Sequence, residues 1–182
     1  AARAYYDGLP PLPHEVEFHF DSVPLPGYGW IFPTSPTSAN IGAGYFVKAG
    51  RKPSIASPQH TMRSFLENPY VARLVGQSAP TTAPKGYPLR TDFLTARVAA
   101  PRLYMVGESA GLVNPLTGEG IDFALESGEL AAGLIADDLR AGRTPAEAAA
   151  AFTRGMRRRF GALFAGIGRV RDLYLQPWVL NR

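Results

Sequence analysis

A chain of 182 residues, 46% apolar and 19% charged, suffices for one compact domain or part of a larger one and excludes wholesale disorder. Without cysteine there is no disulfide framework, thiolate metal site or thiol nucleophile, and no apolar run reaches the roughly 18 residues that a membrane-spanning helix needs. The net charge of +4 is uneven, since residues 1–139 carry 10 basic and 13 acidic side chains while residues 140–182 carry 9 and 2.

In chain order, Ala1 to Tyr6 show neither a basic n-region nor an apolar h-region, which fits a chain that begins inside a longer one, and the lack of cysteine is compatible with a reducing cytoplasm. Residues 15–20, 28–33 and 39–47 alternate or run in aromatic and β-branched side chains between Pro, Gly and Ser clusters, predicting three strands of an antiparallel sheet. The loop Thr34 to Ser38 joins the last two. Gly50 to Ser57 leads out through Pro53 into a helix capped by Ser57, with Pro58 in its first position, that Pro69 interrupts. Pro80, Pro84, Gly86 and Pro88 make 76–91 a loop with an edge strand. A strand is expected over 102–106. A helix should start within about two residues of Gly118 and run to about Leu139, with a stripe at Ile121, Leu125, Ala132, Ile135 and Leu139. Gly142 stops it. Thr144-Pro145 then opens a last helix with an apolar face at Phe152, Met156, Phe160, Leu163 and Ile167 and a solvated face at Arg154, Arg157 and Arg158.

The stretch Val106-Gly-Glu-Ser-Ala-Gly-Leu-Val-Asn-Pro-Leu-Thr-Gly-Glu-Gly-Ile121 carries the most chemistry. It resembles the second flavin fingerprint of the para-hydroxybenzoate hydroxylase-like flavoproteins, in the form found in the geranylgeranyl reductase family. The resemblance implies FAD, with Gly107, Glu108, Pro115, Gly118, Glu119, Gly120 and Ile121 as cofactor-binding residues. The physics of the segment agrees. A strand ending in Gly107 lets the backbone approach a ligand, the next carboxylate can accept from a ribityl hydroxyl, and a helix opened by Gly118 and Gly120 offers unpaired N–H groups and a positive dipole end to an electron-rich pyrimidine edge. The family usually has Asp where this chain has Glu108, which is one methylene longer.

Upstream, Tyr28-Gly-Trp-Ile-Phe-Pro33 and Ile41-Gly-Ala-Gly44 resemble the family's Tyr-x-Trp-x-Phe-Pro strand and its Gly-x-Gly partner. Period two puts Tyr28, Trp30 and Phe32 on one face, and Gly42 and Gly44 are expected to leave a slot beside them for an elongated apolar substrate. The competing reading makes the rings core and lets the glycines merely accommodate Trp30. His14, His19 and His60 are not clustered with carboxylates at metal spacing, and Ser109 lacks the Gly-x-Ser-x-Gly spacing of a hydrolase elbow, so neither a metal site nor a triad is expected.

The fold implied is α/β, or an α+β fragment. Residues 1–100 form an antiparallel substrate-binding sheet with a helical insertion, 101–142 the returning strand and helix of an FAD-binding Rossmann-like domain, and 143–182 a basic C-terminal helix. By resemblance, reduced FAD would reduce a carbon–carbon double bond of an isoprenoid chain, with NAD(P)H or a ferredoxin as electron donor and surface membrane contact as an option. Nucleic acid is not an expected partner. Rivals are an FAD-dependent monooxygenase or halogenase of the same group and, from another class, a basic module for anionic surfaces or nucleic acid. Halogenases carry Trp-x-Trp-x-Ile-Pro, from which Tyr28, Trp30, Phe32 and Pro33 depart at two of four positions. No Gly-x-Gly-x-x-Gly turn that opens a helix is present, so the chain by itself is expected to hold FAD poorly.

Overall fold

In the computed structural model, residues 1–47 and 57–174 are described; most of the expected lead-out through Pro53 and residues 175–182 of the basic tail lie outside them. Contacts divide the chain into two units, Ala1–Pro88 and Leu89–Arg182.

Alternation of side chains builds the first unit. Strands β1 (Ala2–Tyr6), β2 (Glu17–His19), β3 (Gly27–Ser35), β4 (Ser38–Tyr45) and β5 (Lys85–Gly86) form one antiparallel sheet in the order β2-β3-β4-β1-β5. The expected strands are β2, β3 and β4, although the first is confined to 17–19, and β5 is the expected edge strand. Strand β1 was not expected from the sequence. Of its inward residues Ala2, Ala4 and Tyr6, the two alanines are too small to signal a strand by hydrophobicity, yet small residues fit beneath a helix that brings its own bulk. That helix is α1 (Pro58–Leu66), and it lays Met62 and Phe65 on Ile31, Ile41 and the three alanines Ala4, Ala39 and Ala43. The side-chain oxygen of Ser57 accepts from the amide of His60 at 3.3 Å, capping α1 as expected. Pro69 ends α1 by opening a second helix, α2 (Pro69–Val75), whose cap is Asn68.

The second unit has a core of its own. Strands β6 (Ala99–Ala100) and β7 (Leu103–Tyr104) form a hairpin, with Pro101 and Arg102 at its tip and Arg102 at a φ of 64°. The strand expected over 102–106 is therefore regular only at 103–104, because its first residue is spent on the turn. A 3-10 turn (Gly107–Ala110) follows, then helices α3 (Ile121–Arg140) and α4 (Pro145–Tyr174). The cap of α3 is Gly120, two residues beyond Gly118, and its end at Arg140 lies next to the expected Leu139.

Tertiary packing turns most of the expected stripe on α3 outward, although Ile135 packs against the core. Ile121, Leu125 and Leu139 are 77%, 72% and 76% exposed, and the inward face is instead Phe123, Ser127, Ala131 and Asp138. The deciding partner is α4. Phe160 and Phe164 close on Phe123, with ring centroids 6.3 and 5.1 Å apart, and Gly155 lets Leu134 approach the α4 backbone. On α4, Phe152, Met156 and Phe160 are buried as expected, but Phe164 continues the face and Leu163 points outward. The arginines are not simply solvated. Arg157 donates to the carbonyls of Phe93 and Ala96, the latter at 2.7 Å, and stacks over the Phe93 ring, while Arg159 pairs with Glu126. Only part of the basic face remains for solvent, as at Arg154 and Arg158.

Candidate functional site

In the first unit the expected aromatic residues lie on the face of the sheet opposite α1. Tyr28, Trp30 and Phe32 alternate with the buried Gly29 and Ile31, so their rings stand together on that open face rather than in the core. Trp30 lies 5.9 Å from Tyr28 and 6.0 Å from Phe32, and its indole N–H donates to the Oδ1 of Asn40 at 2.8 Å. Three rings that the sequence reading did not assign join them: Phe18 on β2, Phe20 just beyond it and Phe46 just after β4. The signal for Phe18 and Phe20 was present in the alternation of residues 15–20. It could not be used without knowing which face β2 presents to β3.

Gly42 and Gly44 do not leave the expected slot. Gly42 pairs with Trp30 across the strands, and a Cβ there would run into the indole ring and Ala2, while a Cβ on Gly44 would lie 2.9 Å from the Cβ of Ala1. The indole leans over β4 and fills the space that Gly42 opens, as in the competing reading of that glycine. Gly44→Val would therefore strain the β4–β1 pairing first, which makes it a poor probe of a substrate slot.

On the α1 side of the same sheet, His19 sits between two carboxylates. Its Nε2 is 2.9 Å from Glu17 Oε2 and its Nδ1 is 3.9 Å from Asp21 Oδ1. Tyr70 donates its phenol to Glu17 Oε1 at 2.9 Å, and burial, followed by Glu17 beside it, pushes the phenol's pKa above its usual value. No group of three His, Asp or Glu among the described residues could hold a metal ion.

In the second unit the expected cofactor residues are gathered in one folded loop. Asn114 organises it: its Oδ1 accepts from the amides of Leu116 and Thr117 at 2.9 and 3.3 Å, its amide donates to Glu119 O at 2.7 Å, and its carbonyl accepts from Gly118 at 2.9 Å. Pro115 is buried inside the loop and Gly118 has a φ of 77°. Gly120 caps α3 without a side chain, so the first-turn amides have no side-chain acceptor, and Ile121 and Glu119 face outward. Gly107 has a φ of 54°, and a Cβ on it would lie 2.9 Å from the Cβ of Ala124. Its amide donates to the buried hydroxyl of Ser127 at 2.9 Å, which pins the turn to α3. Nothing in the sequence singled out Ser127, because one small polar residue on an inward helix face has no periodic signature. Glu108 accepts from the amide of Arg90 at 3.4 Å, and Arg90 also donates to Ser109 O at 2.6 Å while chelating Asp92. A carboxylate has about four acceptor positions, so this contact leaves Glu108 free to accept another donor. The Arg90 guanidinium holds the Asp92 carboxyl below its usual range.

No family model matches the chain. It is 38% identical over 115 residues to a menaquinone reductase from Mycolicibacterium smegmatis, a match covering 61% of this chain and 26% of the relative. A menaquinone reductase from Mycobacterium tuberculosis is 34% identical over 144 residues, covering 74% of the chain and 34% of that relative. Digeranylgeranylglycerophospholipid reductase 3 from Methanosphaera stadtmanae is 34% identical over 125 residues, covering 69% and 30%. Among solved structures, a geranylgeranyl bacteriochlorophyll reductase-like protein from Thermoplasma acidophilum has the same fold, with a TM-score of 0.67 at 18% identity over 94% of this chain and 42% of that one. The chain belongs to the geranylgeranyl reductase family. It spans about a third of the length of the curated relatives it matches. Its fold is mixed α/β with an antiparallel sheet and C-terminal helices.

Proposed function

We propose that this chain is part of an FAD-dependent reductase that saturates a carbon–carbon double bond in an isoprenoid chain. The observation that carries the reading is the loop 107–120, where motif residues bond to one another and leave the first turn of α3 uncapped behind Gly118 and Gly120. That geometry fits the pyrimidine end of a flavin. Amides at a helix N-terminus favour an electron-rich edge, most of all when the ring is reduced and anionic, and Gly120 keeps side-chain bulk away from them. Gly107, Glu108, Pro115, Gly118, Glu119, Gly120 and Ile121 would hold the cofactor, Glu108 by accepting from a ribityl hydroxyl and Pro115 and Gly118 by shaping the loop. When bound, the flavin supplies a hydride for one alkene carbon, while a proton goes to the other. The protein's own contribution is orientation and exclusion of water. Tyr28, Trp30 and Phe32 offer an aromatic surface on which an apolar chain loses contact with water, and the names of the relatives, which include a lipid and a quinone reductase, support a long isoprenoid substrate.

NAD(P)H or a ferredoxin would supply the electrons. No helix among the described residues is long and apolar enough to cross a membrane, and we place the protein in the cytoplasm, in contact with a membrane surface where its lipid substrate resides. A chimera tests the proposal: this chain replaces the matching segment of the Mycolicibacterium smegmatis menaquinone reductase. The chimera is expected to purify yellow and to saturate an isoprenoid alkene, and Gly120→Val is expected to lower its flavin content. A folded chimera without flavin, or one that holds flavin but reduces no isoprenoid alkene, would overturn the proposal.

A further inference from the structure

Strand β2 is an edge strand of three residues paired only with β3, too short to hold its position by backbone bonds alone. Its side chains alternate between two environments. Glu17 and His19 stand on the α1 side, opposite Ile31 and Gly29, and Phe18 stands opposite Trp30 on the aromatic face. Because the indole leans over Gly42, the Phe18 ring settles between the two neighbours of Trp30, edge-on to both Tyr28 and Phe32 at 5.4 Å and 70°. It remains 51% exposed, so it forms a rim to the face rather than part of its floor.

Side chains behind the strand hold it where the backbone cannot. Tyr70 donates to Glu17, and its ring stacks on His19 with centroids 5.6 Å apart. Asn68, the buried cap of α2, donates to Asp21 at 2.8 Å and to Ser22 at 3.0 Å while its oxygen accepts from Tyr70 N at 2.9 Å. The start of α2 thus grips residues 17–22 at several points, and the strand transmits that grip through the sheet to Phe18.

We infer that Phe18 is a specificity-determining residue that sets the width of the aromatic face, and that Tyr70 is its positioning residue, acting through Glu17 from the opposite side of the sheet. The inference rests on the apolar-chain reading of that face. A rim ring at this place favours a chain with regular methyl branches, which can lodge against it, over a smooth alkyl chain.

The test is equilibrium binding of geranylgeraniol and of a straight-chain alcohol of equal length to the full chain, read by quenching of Trp30 in a Trp178→Phe background. Phe18→Ala is expected to weaken geranylgeraniol binding about 5- to 10-fold and to erase most of the preference for the branched chain, consistent with losing one ring's contact area. Phe18→Leu, which keeps bulk at the rim, should retain most of both. Tyr70→Phe keeps the ring and removes only the bond to Glu17; it should move the branched-to-straight ratio in the same direction by about 2- to 3-fold, with an unchanged unfolding midpoint. A Phe18→Ala protein with intact aromatic circular dichroism and wild-type selectivity would overturn the inference, as would a Tyr70→Phe protein with an unmoved ratio. If the parent chain binds neither alcohol, the apolar-chain reading itself fails.

Discussion

Gly107 shows how one residue serves both the fold and the candidate cofactor turn. Its left-handed φ and its approach to Ala124 both resist a side chain, so Gly107→Ala is expected to cost about 1 to 3 kcal/mol, measured by urea unfolding. Ser127→Ala should cost a similar amount, about 1 to 3 kcal/mol, because it leaves the Gly107 amide buried without its acceptor. A cost below about 0.5 kcal/mol for either would mean that the turn is not pinned to α3 as described. Asp92 makes a prediction about pH. Its carboxyl is held low by the Arg90 hydrogen bonds, so the folded state has the lower pKa and the pair stabilises the fold above the ordinary carboxylate value of about 3.9. That contribution disappears as pH falls from there through the folded value. The wild-type unfolding midpoint should therefore drop more steeply below about pH 4 than that of Asp92→Asn, and parallel curves would count against the pairing.

At the scale of elements, helix starts were legible because the chemistry of a cap is local. Asn68 with Pro69, expected only to interrupt α1, begins a helix as well, as Ser57 with Pro58 and Thr144 with Pro145 do. The last forms a capping box: Thr144 Oγ1 and its amide both reach Glu147 Oε2, at 2.7 and 2.9 Å, and the Glu147 amide reaches back to Thr144 at 3.4 Å. These Thr144 hydrogen bonds keep the Glu147 carboxyl below its usual pKa. Thr144→Ala is expected to cost about 1 kcal/mol, with the loss read from the unfolding midpoint, and Thr144→Ser should restore most of it. Helix faces were legible only where large aromatic residues dominated. Phe152, Met156 and Phe160 declared the buried side of α4, whereas the stripe on α3, Ile135 excepted, gave its periodic signal on an exposed side.

Across the whole molecule, the two cores share no residue. Met62, Phe65, Ile31 and Ile41 serve the first unit, and Phe93, Phe152, Phe160 and Phe164 serve the second. Phe160→Ala is expected to cost about 3 to 5 kcal/mol and to speed amide exchange throughout α3 and α4. The same experiment on Phe65→Ala should speed exchange in β3, β4 and α1. Protection that is lost from the opposite unit in each case would contradict cores built of separate residues.

Local chemistry alone determined the caps, the β3–β4 pair and the glycine-rich loop, since each depends on residues close in sequence whose backbone preferences and hydrogen bonds act on one another. The family resemblance was legible for the same reason, because it lies in two short runs, 28–44 and 106–121. Tertiary structure decided what depends on distant partners. It placed β1 at the interior of the sheet, where alanines suffice because Phe65 comes from α1, and it put Trp30 into the space above Gly42. It also turned Arg157 inward to carbonyls 61 and 64 residues away and chose Phe123 over Ile121 as the inner face of α3. A periodic pattern shows that a helix has an apolar side, but which side is buried depends on the surface that packs against it.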